Sequence, residues 1–408
     1  MRILQVHNRY KTPGGEWTVL NQELELLKNE HEHEVDQFII KNSDHLDTFL
    51  KKVKLIFKAH YNHNSKRLVK EHLINGNYDI MHVHNFFPLL TPSIFEAARE
   101  VGVPTVMSLH NYRLIHPNGL MYHKGKIDHR SITGSAYNCV WDGVYRDSKL
   151  QTAVAAHFIE YHRKNGTWYR YPTAFIALSK FSKNKFVEGG IPSNRIFIKP
   201  NFLKDPCMEY EDLQISSEKI NRFLFVGRIS NEKGIEDLIR CWMERSIPAE
   251  LWIAGEGPLK KKLQQKSKGE KSIKWLGQCQ KKEVLSLLSN SKALLFPTKC
   301  YEGMPLIILE AMSMGCPVIS SDIGNPKNMI DHKINGLLFE PGKTADMYKN
   351  ISWIISNPKN SKKLGENSRK KYEELYTPEK NYNTLMSIYE KAIEIEKKFK
   401  DHKQEHDV

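Results

Sequence analysis

The sequence predicts an α/β protein with two doubly wound parallel sheets in tandem. Short apolar strands alternate with longer helical patterns along the chain, which is typical of parallel sheets. The strand pattern stops once, around residues 199–206, where proline occurs twice, and a second alternating series then begins. At 408 residues the chain is also too long for one ordinary hydrophobic core.

The strands are predicted as follows. In the first half they cover residues 3–7, 34–39, 80–84, 105–109, 174–178 and 196–198, and in the second half 222–226, 250–254, 272–276, 293–296, 318–320 and 336–339. Helices are expected at residues 16–29, 92–101, 234–245, 259–267, 282–289 and 306–314. We therefore expect an N-terminal domain (1–200), a linker (201–220), a C-terminal domain (221–380), and a C-terminal helix and tail (381–408). The stretch from residue 361 to about residue 400 is expected to be a solvated surface helix, with a frayed end from residue 401.

Composition restricts the class of protein. Hydrophobic residues make up 40% of the chain and charged residues 26%, as in folded soluble proteins. The six cysteines are scattered, which favours reduced thiols over disulfides or a zinc site. A strand pattern begins at Met1, so we expect no signal peptide. No apolar run approaches the roughly 20 residues of a membrane span, and a cytoplasmic protein is expected.

The formal net charge is +14, which favours anionic partners such as nucleotides, nucleic acid or an acidic membrane. The basic and apolar segment from Lys51 to Lys70 is a candidate for peripheral contact with an anionic membrane, with a solvated basic helix as the alternative. Nucleic acid is not expected as a partner, because no helix-turn-helix, zinc finger or aromatic RNA-binding motif occurs. No GxGxxG follows a strand, which argues against a dinucleotide oxidoreductase.

The first chemical motif follows the first strand of the second half. That strand ends at Gly227, and two cations, Arg228 and Lys233, precede a helix that begins at Gly234. Two fixed positive charges beside a helix N-terminus suit a diphosphate, whose charge they neutralise as it leaves. Two surface cations near a turn are the alternative.

The second motif is the loop and helix after the fourth strand of the second half. The helix starts near Pro305, a residue favoured in the first helical turn. Amides from Gly303 to Ile307 could hold an anion. Glu302 and Glu310 could accept hydrogen bonds from hydroxyls of two different rings. Ordinary capping explains Glu302 but poorly explains Glu310, which lies in an apolar helix.

In order and spacing, these motifs resemble glycosyltransferase family 4 over about residues 1–385. The resemblance rests on Gly227-Arg228…Lys233-Gly234, on Gly255-Glu-Gly-Pro258, and on Glu302-x7-Glu310 followed by Ala311-Met-Ser-Met-Gly-Cys-Pro-Val-Ile-Ser320. It implies a GT-B fold, with two Rossmann-like domains facing a central cleft. It also implies retaining transfer of a sugar from a nucleoside diphosphate sugar to an acceptor hydroxyl. The stretch from His110 to Lys126 further resembles bacterial enzymes of surface polysaccharide synthesis, whose acceptor is a lipid-linked oligosaccharide.

The resemblance also implies roles for individual residues. Arg228 and Lys233 would bind the donor diphosphate, and Glu310 the nucleotide ribose. Glu302 and the backbone after it would hold the donor sugar and β-phosphate, and the turn at 255–258 would lie near the nucleoside. The predicted catalytic residues are His110, Arg228, Lys233 and Glu302, and the predicted donor-binding residues are Gly14, Gly15, Gly227, Glu256, Gly257, Gly303, Met304, Pro305, Leu306 and Glu310.

Two of these predictions concern the N-terminal half. Gly14 and Gly15 lie between the first strand and the first helix, where the backbone can approach a ligand closely. The family uses this loop at the acceptor and donor-phosphate end of the cleft. His110 follows a strand and resembles the family histidine that contacts the donor sugar near its anomeric carbon. A structural histidine at a strand end is the alternative.

No metal or other cofactor is expected. The sequence lacks the Asp-x-Asp pair that binds a metal-diphosphate in the other large glycosyltransferase fold. The run Glu30-His31-Glu32-His33-Glu34 has no distant partner ligand. His82 and His84 alternate on a strand and share one face, as a cleft-edge or structural pair. Many relatives have Pro-Glu where this chain has Pro326-Lys327.

A sugar-nucleotide epimerase of the same fold is the rival activity.

Overall fold

The computed structural model describes residues 1–10, 14–41, 60–216 and 218–406. They form two compact units, one made of residues 1–121, 128–200 and 381–408 and the other of residues 122–127 and 201–380. The expected division differs in three places. Residues 201–220 belong to the second unit and not to a linker, residues 381–408 belong to the first unit, and the short segment 122–127 belongs to the second.

The first unit contains a parallel sheet, which has six strands in the described part of the chain. In sheet order they are Glu34–Lys41, Arg2–Arg9, Ile80–Asn85, Thr105–Leu109, Ala174–Ala177 and Ile196–Ile198. The interior strands are buried on both faces, so they read as apolar runs in the sequence. Ile3, Val6 and Ile80 are all fully buried. The strands predicted for this half are confirmed.

Helices of the first unit follow these strands. Their bounds are Gly15–Glu25 (continued by a π-helical turn, Leu26–Glu30), His63–Gly76, Ser93–Val101, Arg130–Thr133, Lys149–Lys164, Thr167–Arg170 and Lys180–Glu188, with 3-10 turns at Ala136–Cys139 and Ser193–Arg195. The Asn62 side chain accepts from the amides of Asn64 and Ser65, which fixes the start of the helix His63–Gly76. The helices Lys149–Lys164 and Lys180–Glu188 were not among the predicted elements.

The C-terminal helix Pro378–His406 corrects the prediction of a solvated surface helix. Leu385, Tyr389 and Ala392 are fully buried in the core cluster of the first unit, beside Ile3 and Ile80. The helix also extends to His406 instead of fraying from residue 401. Its mixed charge hid the apolar face that packs on the sheet.

The second unit has its own parallel sheet, with six strands among the residues described. In sheet order they are Ile273–Gly277, Glu250–Ala254, Ile220–Val226, Ser291–Phe296, Val318–Ser321 and Gly336–Phe339. Phe223, Leu251 and Ile319 are fully buried in its core. These strands were predicted as well, so the fold class of two doubly wound parallel sheets is confirmed.

Helices of the second unit have the bounds Pro206–Glu209, Ile235–Glu244, Lys260–Lys266, Lys281–Asn290, Leu306–Ser313, Gly324–Met329, Thr344–Ser356 and Pro358–Leu375, with a 3-10 turn at Asn231–Lys233. A two-stranded hairpin, Tyr122–His123 and Lys126–Ile127, also belongs to this unit. The Tyr122 hydroxyl donates to Asn231 Oδ1 at 2.6 Å, which ties the hairpin to the turn that carries Lys233.

Candidate active site

Two glycine-bearing loops lie side by side at the carboxyl ends of the central strands of the second unit. The Gly227 amide donates to Ala254 O at 3.0 Å. Gly255 has a φ of +134°, and a Cβ added there would lie 1.9 Å from Gly227 O. A Cβ at Gly257 would lie 2.4 Å from Ile229 O. Close packing of the loops therefore requires glycine at 255 and 257.

The same packing leaves two predicted residues of these loops exposed. Arg228 projects from the first loop and Glu256 from the second. Glu256 Oε1 lies 2.5 Å from Lys260 Nζ, so its charge is neutralised on its own helix. Within the part of the chain that the structure describes, the Arg228 guanidinium makes no ion pair. It is therefore available to an anionic ligand.

Lys233 and Glu302, two of the predicted catalytic residues, form an ion pair. Lys233 Nζ lies 2.6 Å from Glu302 Oε1, and the Thr298 hydroxyl donates to the same carboxylate oxygen at 2.9 Å. Burial disfavours the charge of Lys233, but the Glu302 carboxylate outweighs it and raises the pKa of the ammonium. The pair is thus a fixed positive and negative charge at one point of the unit.

Gly234 brings these two side chains together. Its φ is +70°, and a Cβ there would lie 1.8 Å from Pro297 O. The start of the helix Ile235–Glu244 therefore touches the loop that leaves the strand Ser291–Phe296. The sequence analysis missed one neighbour, Lys299, whose Nζ lies 2.5 Å from Asp237 Oδ2. Since that lysine is already neutralised by a carboxylate of the same unit, it offers less charge to a ligand.

The loop before the helix Leu306–Ser313 is held by two asparagines that were not predicted. Asn325 Nδ2 donates to Glu302 O at 3.0 Å, and Asn201 Nδ2 donates to Met304 O at 3.2 Å. Met304 is buried, and its sulfur lies 3.1 Å from the Asn201 amide nitrogen. Its side chain is therefore a packing residue. Gly303, Pro305 and Leu306 stay partly exposed at the helix start, where the first amides have no partner within a helix.

Glu310 lies inside this helix, facing a pair of charged side chains. Burial raises its pKa to about 7, with Lys281 acting against the shift and Glu209 adding to it. Lys281 Nζ and Glu209 Oε2 are themselves paired at 2.8 Å. Glu310 consequently lacks a full counter-ion of its own, and it changes protonation near neutral pH. When ionised, a carboxylate accepts hydrogen bonds from vicinal hydroxyls.

In the first unit, Gly14 caps the helix Gly15–Glu25, and both glycines are exposed. A Cβ on Gly14 would meet none of the described residues within 4 Å, so packing does not require glycine there. The next residue, Glu16, was missed although it directly follows the two glycines. Asn85 Nδ2 donates to its Oε1 at 3.1 Å. Burial raises the pKa of Glu16 to about 7, against the opposing effect of Arg113.

His110 follows the strand Thr105–Leu109 and stacks on another histidine. Its Nε2 lies 3.2 Å from His84 Nδ1, and the ring centroids are 5.4 Å apart. Burial holds the pKa of His110 well below its ordinary value, and a positive charge on His84 would lower it further. The His110 imidazole is therefore neutral at pH 7.

Behind His110 lies a buried polar network centred on Glu23. Glu23 Oε1 is 2.5 Å from Lys199 Nζ and Glu23 Oε2 is 3.2 Å from His84 Nε2. His82 stands beside them, 2.8 Å from the Tyr389 hydroxyl and 2.9 Å from Ser108 Oγ. Both histidines of the predicted pair share a face and are buried. Glu23 was not predicted, and its only signal was an acidic residue among apolar positions of a helix.

Two groups of side chains among the described residues approach metal-ligand spacing. Ligand atoms of Glu23, His82 and His84 lie within 4.8 Å of one another, as do those of His116, Asp128 and Cys139. Each group already contains a neutralised carboxylate: Lys199 pairs with Glu23, and Arg130 lies 2.7 Å from Asp128. A bound cation would have to displace these partners, so both fit hydrogen-bonded networks better than metal sites.

The structure describes the surroundings of two other predicted features, the run at residues 30–34 and part of the segment from Lys51 to Lys70. His31 stacks on Tyr382 at 3.4 Å, and His33 Nε2 lies 2.9 Å from the Tyr382 hydroxyl, so packing against the C-terminal helix explains both histidines of the 30–34 run. Of the segment from Lys51 to Lys70, residues 51–59 lie outside the described residues. In the rest of it, Lys66 lies 2.6 Å from Glu100, which also pairs with Lys70 at 2.7 Å.

Residues 326–327 are Pro-Lys in this chain, where many relatives have Pro-Glu. Lys327 Nζ lies 2.9 Å from Asp322 Oδ1, so the lysine is paired at the surface. No helix among the described residues is long and apolar enough to span a bilayer.

Comparison with known proteins places this site in a family context. Residues 211–371 match the model of the family described as glycosyl transferases group 1. The D-rhamnosyltransferase of Pseudomonas aeruginosa is 30% identical over 38% of this chain and 41% of its own length. The lipopolysaccharide 1,6-galactosyltransferase of Salmonella typhimurium is 30% identical over 49% of this chain and 57% of its own length. The chain thus spans about half the length of these curated relatives.

Among solved structures, HepE of Anabaena in complex with UDP shares the fold, with a TM-score of 0.61, 16% identity, and coverage of 95% of this chain and 99% of HepE. The predicted GT-B fold class, two parallel-sheet α/β domains, is therefore confirmed. The family description and the names of the relatives are those of transferases that act on sugars. The matched segment contains Arg228, Lys233, Glu302 and Glu310.

Proposed function

We propose that this chain is a retaining glycosyltransferase of family 4 that moves a sugar from a nucleoside diphosphate sugar to an acceptor hydroxyl. The observation that carries the proposal is the arrangement of Lys233, Glu302 and Arg228. Lys233 is fixed at 2.6 Å from Glu302, and Arg228 is exposed without an ion pair among the described residues. Both cations lie in the segment that matches group 1 glycosyltransferases.

In this proposal the cations bind the donor diphosphate. A diphosphate oxygen competes with Glu302 for the Lys233 ammonium, and Glu302 then becomes free to accept hydrogen bonds from the donor sugar. Gly303, Pro305 and Leu306 present helix-start amides to the β-phosphate. Glu310 accepts from the ribose hydroxyls. Gly227, Glu256 and Gly257 border the nucleoside.

Among the described residues no carboxylate is clearly placed as a covalent nucleophile, so the proposed step is a same-face displacement without a covalent intermediate. The bond between the anomeric carbon and the phosphate oxygen breaks, and the acceptor oxygen bonds to the same face of that carbon. The acceptor proton passes to the departing phosphate oxygen. Arg228 and Lys233 stabilise the charge that accumulates on the diphosphate, which is the work that a divalent ion does in other transferases. We therefore propose that no metal is required.

For the acceptor we propose a lipid-linked oligosaccharide of surface polysaccharide synthesis. Support comes from the relatives, which are named for lipopolysaccharide and rhamnose transfer. We also propose a cytoplasmic enzyme. Its six cysteines, all within the described residues, are free thiols, as expected in a reducing compartment. Contact with an anionic membrane through the segment from Lys51 to Lys70 is proposed only for its first part, since Lys66 and Lys70 are already paired with a carboxylate.

The proposal is tested by incubating the purified chain with a panel of sugar nucleotides, with and without a lipid-linked oligosaccharide acceptor. We expect nucleoside diphosphate release that depends on acceptor, with at most slow hydrolysis in its absence. Proton NMR of the product should show the anomeric configuration of the donor. Conversion of the donor sugar to its epimer without acceptor would contradict the proposal, as would inversion at the anomeric carbon.

A further inference from the structure

A continuous line of buried polar contacts joins His110 to a lysine and an acidic residue deep in the first unit. His110 Nε2 lies 3.2 Å from His84 Nδ1, and His84 Nε2 lies 3.2 Å from Glu23 Oε2. The other carboxylate oxygen of Glu23 is 2.5 Å from Lys199 Nζ. Glu23, His84 and Lys199 are each at most 2% exposed. The inner part of the line, from His84 to Lys199, is therefore shielded from water, whereas His110 stays partly exposed.

The contact between Glu23 and His84 is the closest one available to the Glu23 Oε2 and His84 Nε2 atoms. Glu23 Oε2 and His84 Nε2 are both buried and, within the described residues, neither makes a hydrogen bond of standard geometry, so the 3.2 Å contact between them is the closest partner that each has. The neighbouring His82 does not need this oxygen, because its two nitrogens already face Tyr389 and Ser108 at 2.8 and 2.9 Å. A buried polar atom without a partner is costly, so the bent 3.2 Å contact is retained as a hydrogen bond.

The position of each ring proton follows from these contacts. Lys199 holds Glu23 as a carboxylate, which can only accept. His84 Nε2 must carry a proton, because a lone pair at that distance from a carboxylate oxygen would be repelled. Lys199 already balances the Glu23 charge, so a neutral His84 keeps the buried cluster balanced, and its Nδ1 then accepts. His110 Nε2 consequently donates, and the remaining nitrogen of His110, Nδ1, carries no proton.

We propose that Glu23, acting through His84, is a positioning residue that fixes His110 in the tautomer with the proton on Nε2. His110 then presents an unprotonated Nδ1 to its ligand. Such a nitrogen accepts a hydrogen bond from a sugar hydroxyl and repels a phosphate oxygen. This inference rests on the proposed function for the identity of the ligand, because it assigns His110 to a hydroxyl of the sugar and not to the diphosphate.

Other charged groups close to His110 are consistent with a neutral ring. His7 lies on the strand next to that of His84, and burial lowers its pKa to about 3, a value that a positive charge on His84 would lower further. Burial also holds the pKa of His82 well below its ordinary value. The only full charges in the cluster, Glu23 and Lys199, cancel each other. Of the described groups in this cluster, Glu23 is therefore the one that determines which ring nitrogen of His84, and in turn of His110, carries the proton.

The substitution E23Q exchanges donor and acceptor in each hydrogen bond between residue 23 and His110. Lys199 still donates, so the glutamine carbonyl of E23Q turns toward Lys199 and its amide turns toward His84 Nε2. The amide donates, so the His84 proton moves to Nδ1, and His84 then donates to His110 Nε2. His110 must in turn carry its proton on Nδ1. One side-chain substitution with no change in volume thus exchanges an acceptor for a donor at the ligand.

The test is nitrogen NMR of the full chain with 15N-labelled histidine, with the His110 signals assigned by their loss in H110N. In the wild type we expect His110 to be protonated on Nε2 alone, and in E23Q on Nδ1 alone. The matched control is Y389F, which removes a hydroxyl from His82 in the same buried cluster. It should leave the His110 tautomer unchanged.

Each outcome of the NMR experiment either supports or contradicts the proposal. A wild-type His110 protonated on Nδ1, or a doubly protonated His84, overturns the proposal even if E23Q does not fold. A folded E23Q with an unchanged His110 tautomer overturns it as well. Because the NMR readout needs no donor, it stands even if the chain proves not to transfer sugars. If transfer occurs, E23Q should lower kcat about ten- to hundredfold, with a smaller effect from Y389F.

Discussion

Glu310 provides the most quantitative prediction, because its protonation changes in the range where enzymes are assayed. Burial raises the pKa of this carboxyl to about 7. Only the ionised form accepts hydrogen bonds from both ribose hydroxyls, so the donor should bind the ionised form. Lowering the pH therefore protonates Glu310 and weakens donor binding, while raising the pH above 8 has little further effect.

The magnitude can be worked from that pKa. A group with a pKa of about 7 is roughly nine-tenths ionised at pH 8 and about one-tenth ionised at pH 6. Donor affinity should therefore fall about tenfold between pH 8 and pH 6, which corresponds to about 1.4 kcal/mol. The variant E310Q cannot ionise, so its affinity should be weaker than that of the wild type at pH 8 and independent of pH.

The assay is isothermal titration with an intact sugar nucleotide at pH 6, 7 and 8. An intact donor is needed because the terminal phosphate of a free nucleoside diphosphate itself titrates near pH 6. E340Q is the matched control, since Glu340 is exposed, is paired with Lys343 at 2.6 Å and has no role in the proposed donor site. It should keep the tenfold dependence. A flat wild-type profile, or a tenfold change that persists in E310Q, would refute the assignment of Glu310.

Three other predictions concern the cations, the glycine loops and the metal. K233M should lower kcat about 100- to 1,000-fold in the transfer assay, because one fixed charge on the leaving diphosphate is lost. K299M, which removes a lysine already paired with a carboxylate, should change kcat less than about threefold, and equal losses would contradict the role of Lys233. G255A should lower the free energy of unfolding by about 3 kcal/mol or more in urea denaturation, because its Cβ would lie 1.9 Å from Gly227 O. G269A should cost only about 1–2 kcal/mol, since its φ is +99° but the added Cβ meets no described residue within 4 Å. Finally, transfer measured with excess EDTA should proceed at an unchanged rate, and a loss restored by Mg²⁺ would show that the cations do not suffice.

The sheets could be predicted because their physical signal is local. A strand buried on both faces has to be apolar along its length, and the pattern repeats with helical segments between strands. The C-terminal helix Pro378–His406 shows where this logic ends. Its apolar positions are diluted by lysine and glutamate, so its packing against the first sheet depends on partners far away in the sequence. The helix Lys149–Lys164 was missed for the same reason, since its buried face mixes Phe158 and Ile159 with alanine, threonine and histidine.

The candidate site could be predicted only in part. Arg228, Lys233 and Glu302 follow strands, and Glu310 lies in the helix that begins just after Glu302, so their spacing in the sequence is informative. The Lys233–Glu302 ion pair was not foreseen, because it depends on the approach of Gly234 to Pro297. Glu23 lies in the middle of a helix and meets His84 and Lys199 across the sheet. No spacing in the sequence connects these three residues, although each is unusual as a buried charged or polar group.

The measurement that tests the central claim most directly is a thermal-shift panel of sugar nucleotides on the wild type and on K233M. At a hundred times its Kd, the true donor should stabilise the chain by about 2.7 kcal/mol, which raises Tm by roughly 5–10 °C for a unit of this size. K233M should lose most of that shift, measured relative to its own Tm without ligand, because removal of the lysine also leaves the Glu302 carboxylate without its ion-pair partner and lowers that Tm. If no sugar nucleotide raises Tm in the wild type, or if K233M responds equally, the donor site described around Lys233 and Glu302 is wrong.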